Sequence, residues 1–205
     1  MKTIAIINQK GGVAKTTSTI NLAAYLAIEG KKTLIIDLDP QGNATSGLGV
    51  NRFDLSRCVY EALIDGLSFS DVLINTKINN LDLLPATISL AGAEIEMVNM
   101  EGREYLLKKL VDDITGYDYI LIDCPPSLGL LTINALTAAD QFIVPIQCEY
   151  YALEGLGQLL KTIDLINKGL NPDLELNGAL MTMFNSTQNL SSQVVAEVRA
   201  FFKEK

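Results

Sequence analysis

The sequence predicts an α/β protein: a single doubly wound, mostly parallel β-sheet with helices on both faces. Three observations point there. Apolar, β-rich runs recur at 3–7, 33–36, 81–84, 118–122, 141–146 and 176–184. Their apolar character is nearly continuous rather than alternating, as in strands buried on both faces. Stretches with helical spacing lie between most of them, the rhythm of a parallel sheet crossed by helices.

The first run, Thr3-Ile4-Ala5-Ile6-Ile7, leads through residues 8–17 into a helix predicted from Thr16 to about Glu29. Ile20, Ala23, Ala24 and Ala27 share its inner face, and Gly30 is its C-terminal stop. Residues 41–80 break the rhythm with Gly, Asn and Ser and two short helical pieces, about 57–64 and 69–74. They are expected to pass over one face of the sheet. Further helices are predicted at about 101–114, 130–139, 152–168 and 190–204, the last with Val194, Val195, Val198, Phe201 and Phe202 as its buried stripe. A chain of 205 residues suffices for one sizeable core, and no linker or internal repeat divides it. One domain over residues 1–205 is expected.

Nearly half the residues are hydrophobic, and the formal net charge is −8. Such an acidic balance opposes general binding to polyanions. Cys58, Cys124 and Cys148 are odd in number, widely spaced and without a C-x-x-C pair. That favours a reducing compartment over a disulfide framework or a zinc site. The N-terminus runs straight into a strand, and no apolar run approaches the roughly 18–20 residues that span a bilayer. A cytoplasmic protein that avoids membranes is expected. Histidine is absent, so acid–base chemistry must rest on carboxylates, lysines or ordered water.

Ligands of doubly wound sheets sit at the carboxyl ends of the strands. Chemistry-bearing residues cluster there. Asn8-Gln9-Lys10-Gly11-Gly12-Val13-Ala14-Lys15-Thr16-Thr17 follows the first strand. A strand, a glycine-containing turn with lysine and Thr-Thr, then a helix is how backbone amides and a helix N-terminus cradle phosphate. The pattern G-x-x-x-x-G-K-[ST] is not met literally, because Gln9 and Ala14 occupy its glycine positions. Lys15 is placed to contact the β- and γ-phosphates, and Thr16 to offer its hydroxyl to Mg²⁺. The bland alternative is a capped helix with a solvated lysine.

Asp123 ends Tyr119-Ile120-Leu121-Ile122-Asp123 and supplies the hard oxygen that magnesium requires; otherwise it caps the next helix. Asp37 and Asp39 end the second strand, and alternation sends both side chains toward the same crevice. Pro40 keeps Asp39 extended. Asp39 is expected to activate water, and Asp37 to support the metal or the loop. A solvated acidic turn is the alternative for both. Lys10, on the outer arm of the turn, is either exposed or a positive charge offered to phosphate across a two-fold interface.

Lys10-Gly11-Gly12-Val13-x-Lys15-Thr16-Thr17 resembles the deviant Walker A motif of the ParA/MinD ATPases. Leu38-Asp39-Pro40-Gln41-Gly42-Asn43-Ala44-Thr45 and the segment from Tyr119 to Ser127 are similar to those of its ParA/Soj chromosome-partitioning branch. The resemblance implies a P-loop NTPase that binds ATP and Mg²⁺ and forms an ATP-dependent homodimer, with Lys10 on the partner's nucleotide. It implies that Lys10, Gly11, Gly12, Val13, Ala14, Lys15, Thr16 and Thr17 bind nucleotide, with Thr17 near the α-phosphate. Asp39 would position water and Asp123 would be the Walker B acid. It also implies a ParB-type stimulator, slow turnover and non-specific DNA binding.

The chain departs from that pattern at three places. Ala14 replaces a glycine; a left-handed backbone there would cost roughly 1–2 kcal/mol, a helical one almost nothing. Residues 185–188 lack an arginine often found there. The last strand and helix of the family are not present, so DNA binding is expected to be weak or absent. Two other functions compete: a nucleotide-binding regulator with little hydrolysis, and an amide-forming cofactor-biosynthesis enzyme of the same loop class.

Overall fold

The computed structural model describes residues 1–149 and 155–203. Seven strands form one sheet: β1 (Lys2–Ile6), β2 (Thr33–Asp37), β3 (Ile74–Asn75), β4 (Leu81–Leu84), β5 (Tyr119–Asp123), β6 (Gln141–Gln147) and β7 (Glu175–Thr182). Their order is β3-β4-β2-β5-β1-β6-β7, parallel throughout except where β3 pairs antiparallel with β4. The predicted sheet is the observed one, with β3 an addition too short to leave a pattern in sequence.

Alternate residues of the inner strands feed two separate cores. Ile4, Ile6, Ile35 and Leu121 pack under α1 (Lys15–Ile28) with its Ala23 and Ala27. Ala5, Ile7, Leu34, Ile36, Ile120 and Ile122 point the other way. They meet α3 (Val59–Ile64), α5 (Leu90–Met97), α6 (Leu106–Asp112), α7 (Leu130–Ala138) and α8 (Leu156–Gly169). Leu34, Ile35, Ile36, Ile120, Leu121 and Ile122 are wholly buried; truncating one such side chain to alanine typically costs about 2–5 kcal/mol. This two-sided burial is why these strands read as apolar runs.

Two expectations change. The excursion after β2 does not keep to one face. Ala44, in α2 (Asn43–Gly47), and Leu48 join α1, whereas α3 and Val72 of α4 (Phe69–Val72) lie on the opposite side. The helix expected at 101–114 is shorter: a 3-10 turn at Arg103–Tyr105 precedes α6, and α5 is a separate helix that the spacing did not predict. The helix expected at 152–168 is α8, beginning at Leu156, with its predicted first residues outside those described. The last, α9 (Asn189–Lys203), agrees, and buries Val194 and Val198.

β7 forms an edge, with Leu176 and Leu180 39% and 43% exposed. Its Thr182 hydroxyl donates to the Val13 carbonyl at 3.2 Å, tying the strand's end to the loop after β1. Among the described residues no helix is long and apolar enough to cross a membrane.

Candidate functional site

The carboxyl ends of β1, β2 and β5 meet in one cleft of about 570 Å³, lined among others by Gly12, Ala14, Lys15, Thr16, Asp39 and Met183. That volume suits a small-molecule ligand. Its floor is the start of α1. Ala14 is the N-cap residue and makes no side-chain capping bond, and the first turn carries no acid. The leading amides of α1 therefore remain available to an anion, with the positive end of the helix dipole behind them.

Gly12 (φ 75°) and Ala14 (φ 68°) are both left-handed. Glycine adopts that conformation freely; alanine is strained by its Cβ. The loop thus takes a glycine-like path at Ala14 despite the alanine. Lys15 is buried, and its Nζ donates to the Lys10 carbonyl at 3.1 Å, so the loop closes around its own lysine. Burial lowers the Lys15 pKa, and the nearby charges of Asp123, Cys124 and Asp39 partly offset this.

Asp123 is fully buried beneath that floor. The Thr19 hydroxyl, one turn into α1, lies 3.2 Å from its Oδ1, while Oδ2 has no hydrogen-bond partner. Burial, and next the charge of Asp37, push its pKa up to about 7 against the hydroxyls of Thr16 and Thr19. A buried carboxylate oxygen without a donor, beside a threonine hydroxyl and a phosphate-type loop, fits a magnesium shell completed by water and phosphate. Among the described residues no group of three or more acidic or cysteine side chains could hold a metal alone. The donor set therefore suits an ion that arrives with phosphate.

Asp37 lies beside Asp123 but is engaged differently. Its Oδ1 accepts the Asp39 amide at 3.1 Å. Its Oδ2 accepts the Thr45 amide at 2.8 Å and hydroxyl at 2.7 Å. Thr45 Oγ1 in turn accepts the Ala86 amide. Of the two roles expected for Asp37, these contacts match support of the neighbouring segment, and Oδ1, with one hydrogen bond, keeps a lone pair open. Burial raises its pKa to about 6. Asp39 lines the cleft, with Oδ1 held by the Gln41 amide at 2.9 Å. Gly42 permits this tight turn: a Cβ there would lie 2.9 Å from the Ala86 carbonyl.

Lys10 stands on the outer arm, its Nζ 3.2 Å from Glu149 Oε2. Thr17 lies on the first turn of α1 and also lines the cleft. The structure thus gathers Gly11, Gly12, Ala14, Lys15, Thr16, Thr17 and Asp39 around one cavity, with Asp123 under it and Lys10 at its outer arm. Sequence reasoning missed Thr19, and it gave no role to Thr45, although that residue ends the Leu38–Thr45 motif, or to Glu149, although it follows the fifth predicted strand. The i+4 spacing of Thr19 from Lys15 could have drawn notice to it.

Residues 1–176 match the family described as AAA domain. Over all 205 residues the chain is 56% identical to the sporulation initiation inhibitor protein Soj of Bacillus subtilis, spanning 81% of that protein. The chain belongs to the Soj/ParA family. It is 54% identical to the chromosome partitioning protein ParA of Myxococcus xanthus over 98% of this chain and 71% of that one. Among solved structures, cobyrinic acid a,c-diamide synthase from Mycobacterium smegmatis, with bound ADP and magnesium, superposes with a TM-score of 0.94. It is 45% identical, covering 98% of this chain and 82% of that one. The phosphate-loop fold and the family foreseen from the two-lysine motif both stand.

Proposed function

We propose that this chain is an ATP-binding, slowly hydrolysing dimerisation switch of the Soj/ParA type, acting in chromosome or plasmid partitioning. The observation that carries the reading is the pairing of a buried lysine with a buried carboxylate: Lys15, held among the described residues only by the Lys10 carbonyl of its own loop, and Asp123, whose Oδ2 has no donor. Phosphate answers the first and magnesium the second. The identity to Soj and ParA relatives supports the same reading.

In this mechanism the amides from Gly11 to Thr17 and the Lys15 ammonium bind the phosphates. The Thr16 hydroxyl, with Asp123 through water, would hold Mg²⁺, and Asp37 keeps the neighbouring loop in place. Bound Mg²⁺ would neutralise charge on the β- and γ-phosphates. Asp39 orients the attacking water, and its buried position keeps the carboxylate in one place. Lys10 completes the partner's site across a two-fold axis. A ParB-type protein would stimulate turnover, and release of the dimer would be the output. The acidic chain makes DNA binding weak.

The deciding experiment is sizing with and without ATP and magnesium. The parent should dimerise with ATP, Lys10→Ala should bind ATP yet stay monomeric, and Asp39→Ala should remain trapped as a dimer. A dimerising Lys10→Ala protein would remove the trans role, and equal turnover in Asp39→Ala and the parent would remove the water role. The likeness to the diamide synthase keeps an amide-forming enzyme as the second reading. ATP turnover that required cobyrinic acid would establish it instead.

A further inference from the structure

Lys10 is tethered within its own chain at three atoms. Its amide donates to Asn8 Oδ1 at 3.0 Å, and Asn8 Nδ2 donates to the Pro145 carbonyl of β6 at 2.7 Å. Its carbonyl receives Lys15 Nζ at 3.1 Å. Its own Nζ meets Glu149 Oε2 at 3.2 Å. Glu149 is itself braced: its amide donates to the Gln147 carbonyl at 2.8 Å, and Gln147 Nε2 donates to its other carboxylate oxygen. Glu149 is thus a prepared acceptor at the end of β6, facing the arm that carries the outward lysine.

We propose that Glu149 is a positioning residue that holds Lys10 within its own chain and so sets the protein concentration at which two ATP-bound copies join. The inference rests on the dimer reading above. The Lys10 ammonium directed at a partner's phosphates must give up or share this carboxylate, so the two pairings compete. The competition is balanced for switching because the side chains are 37% and 53% exposed and the pair is screened. Exposed pairs of this kind hold by a factor of roughly 1.5 to 5. A polyanionic phosphate chain outweighs one carboxylate. Lys15 adds a second coupling: when its Nζ turns from the Lys10 carbonyl to phosphate, the same arm loses another tether. Nucleotide in a subunit's own site thereby loosens the lysine that its partner needs.

The test uses the full chain, Glu149→Gln and Glu149→Asp, each saturated with a slowly hydrolysed ATP analogue and Mg²⁺, with the dimer Kd read by analytical ultracentrifugation. Two holds open per dimer, so Glu149→Gln should lower the dimer Kd by roughly 2- to 25-fold. Its affinity for a fluorescent ATP analogue should match the parent. Glu149→Asp, which restores the charge, should move the Kd back toward the parent value, and raised salt should narrow the gap between Gln variant and parent. A residue that merely supported the fold would weaken dimerisation when altered. An unchanged or higher dimer Kd for Glu149→Gln in a parent that does dimerise overturns this inference alone. A parent that stays monomeric with the analogue overturns the dimer reading and this inference together.

Discussion

Asp37 and Asp123 are register partners at the carboxyl ends of β2 and β5, yet their surroundings are opposite. Asp37 accepts three hydrogen bonds, one from the turn that follows it and two from Thr45 of α2, whereas Asp123 leaves Oδ2 buried without a donor. Two neighbouring carboxylates thereby differ: one is tied into the wall of the cleft, and the other keeps a buried oxygen without a donor.

This division has a pH signature. Both carboxyls are raised by burial, to about 6 for Asp37 and about 7 for Asp123. The folded chain therefore holds these protons more tightly than the unfolded one. The stability they contribute is fully present below about pH 4 and is lost as pH rises through 6 to 7, on the order of a few kcal/mol in all. In urea titrations without magnesium, Asp123→Asn should lose part of that decline. At pH 8, Mg²⁺ with ATP should raise the parent's midpoint more than the variant's. Superimposable pH profiles for the two proteins would contradict the assignment.

Thr45, in the short helix α2, is predicted to matter more than a small polar residue usually does. Thr45→Val keeps the shape but leaves Asp37 Oδ2 short of a donor and the Ala86 amide without its acceptor. Two buried polar groups lose partners, so the loss should be about 2–4 kcal/mol in urea unfolding. Thr45→Ser should recover most of it. A Val variant within 0.5 kcal/mol of the parent, a surface-like effect, would count against the clamp.

Ala14 offers a gain rather than a loss. Its left-handed backbone costs roughly 1–2 kcal/mol for an L-residue, against which glycine loses about 0.4–1 kcal/mol through unfolded-chain entropy. Ala14→Gly should therefore stabilise the fold by about 1 kcal/mol, visible as a higher thermal midpoint. A lower midpoint would mean that the alanine methyl makes a compensating contact.

What could be read beforehand follows the physics of each feature. Strands such as Leu34-Ile35-Ile36 and Ile120-Leu121-Ile122 were legible because burial on both faces leaves continuous apolar runs. α5 was not: Gly92 interrupts it, and Ile95 is 75% exposed, so no single apolar face marks it. Lys15, Thr16 and Asp123 could be singled out because strand ends gather chemistry in any parallel sheet. The backbone angle at Ala14 stayed open: its place at a motif glycine pointed to a left-handed turn, the alanine itself to a helical one, and the structure decides for the former. The Lys10–Glu149 pair could not be singled out, being a contact between residues 139 apart in sequence.

β5 occupies the middle of the seven strands, whereas Lys10 stands at the solvent margin on a screened ion pair. Local opening follows burial, so amide exchange should be slowest around Ile122 and Asp123 and fast along the arm from Gln9 to Gly11. The same cleft thus joins the last part of the molecule to melt to one of the first to loosen. In the proposed switch, recognition of the ion would fall to the unyielding side, and contact with another molecule to the side that gives way.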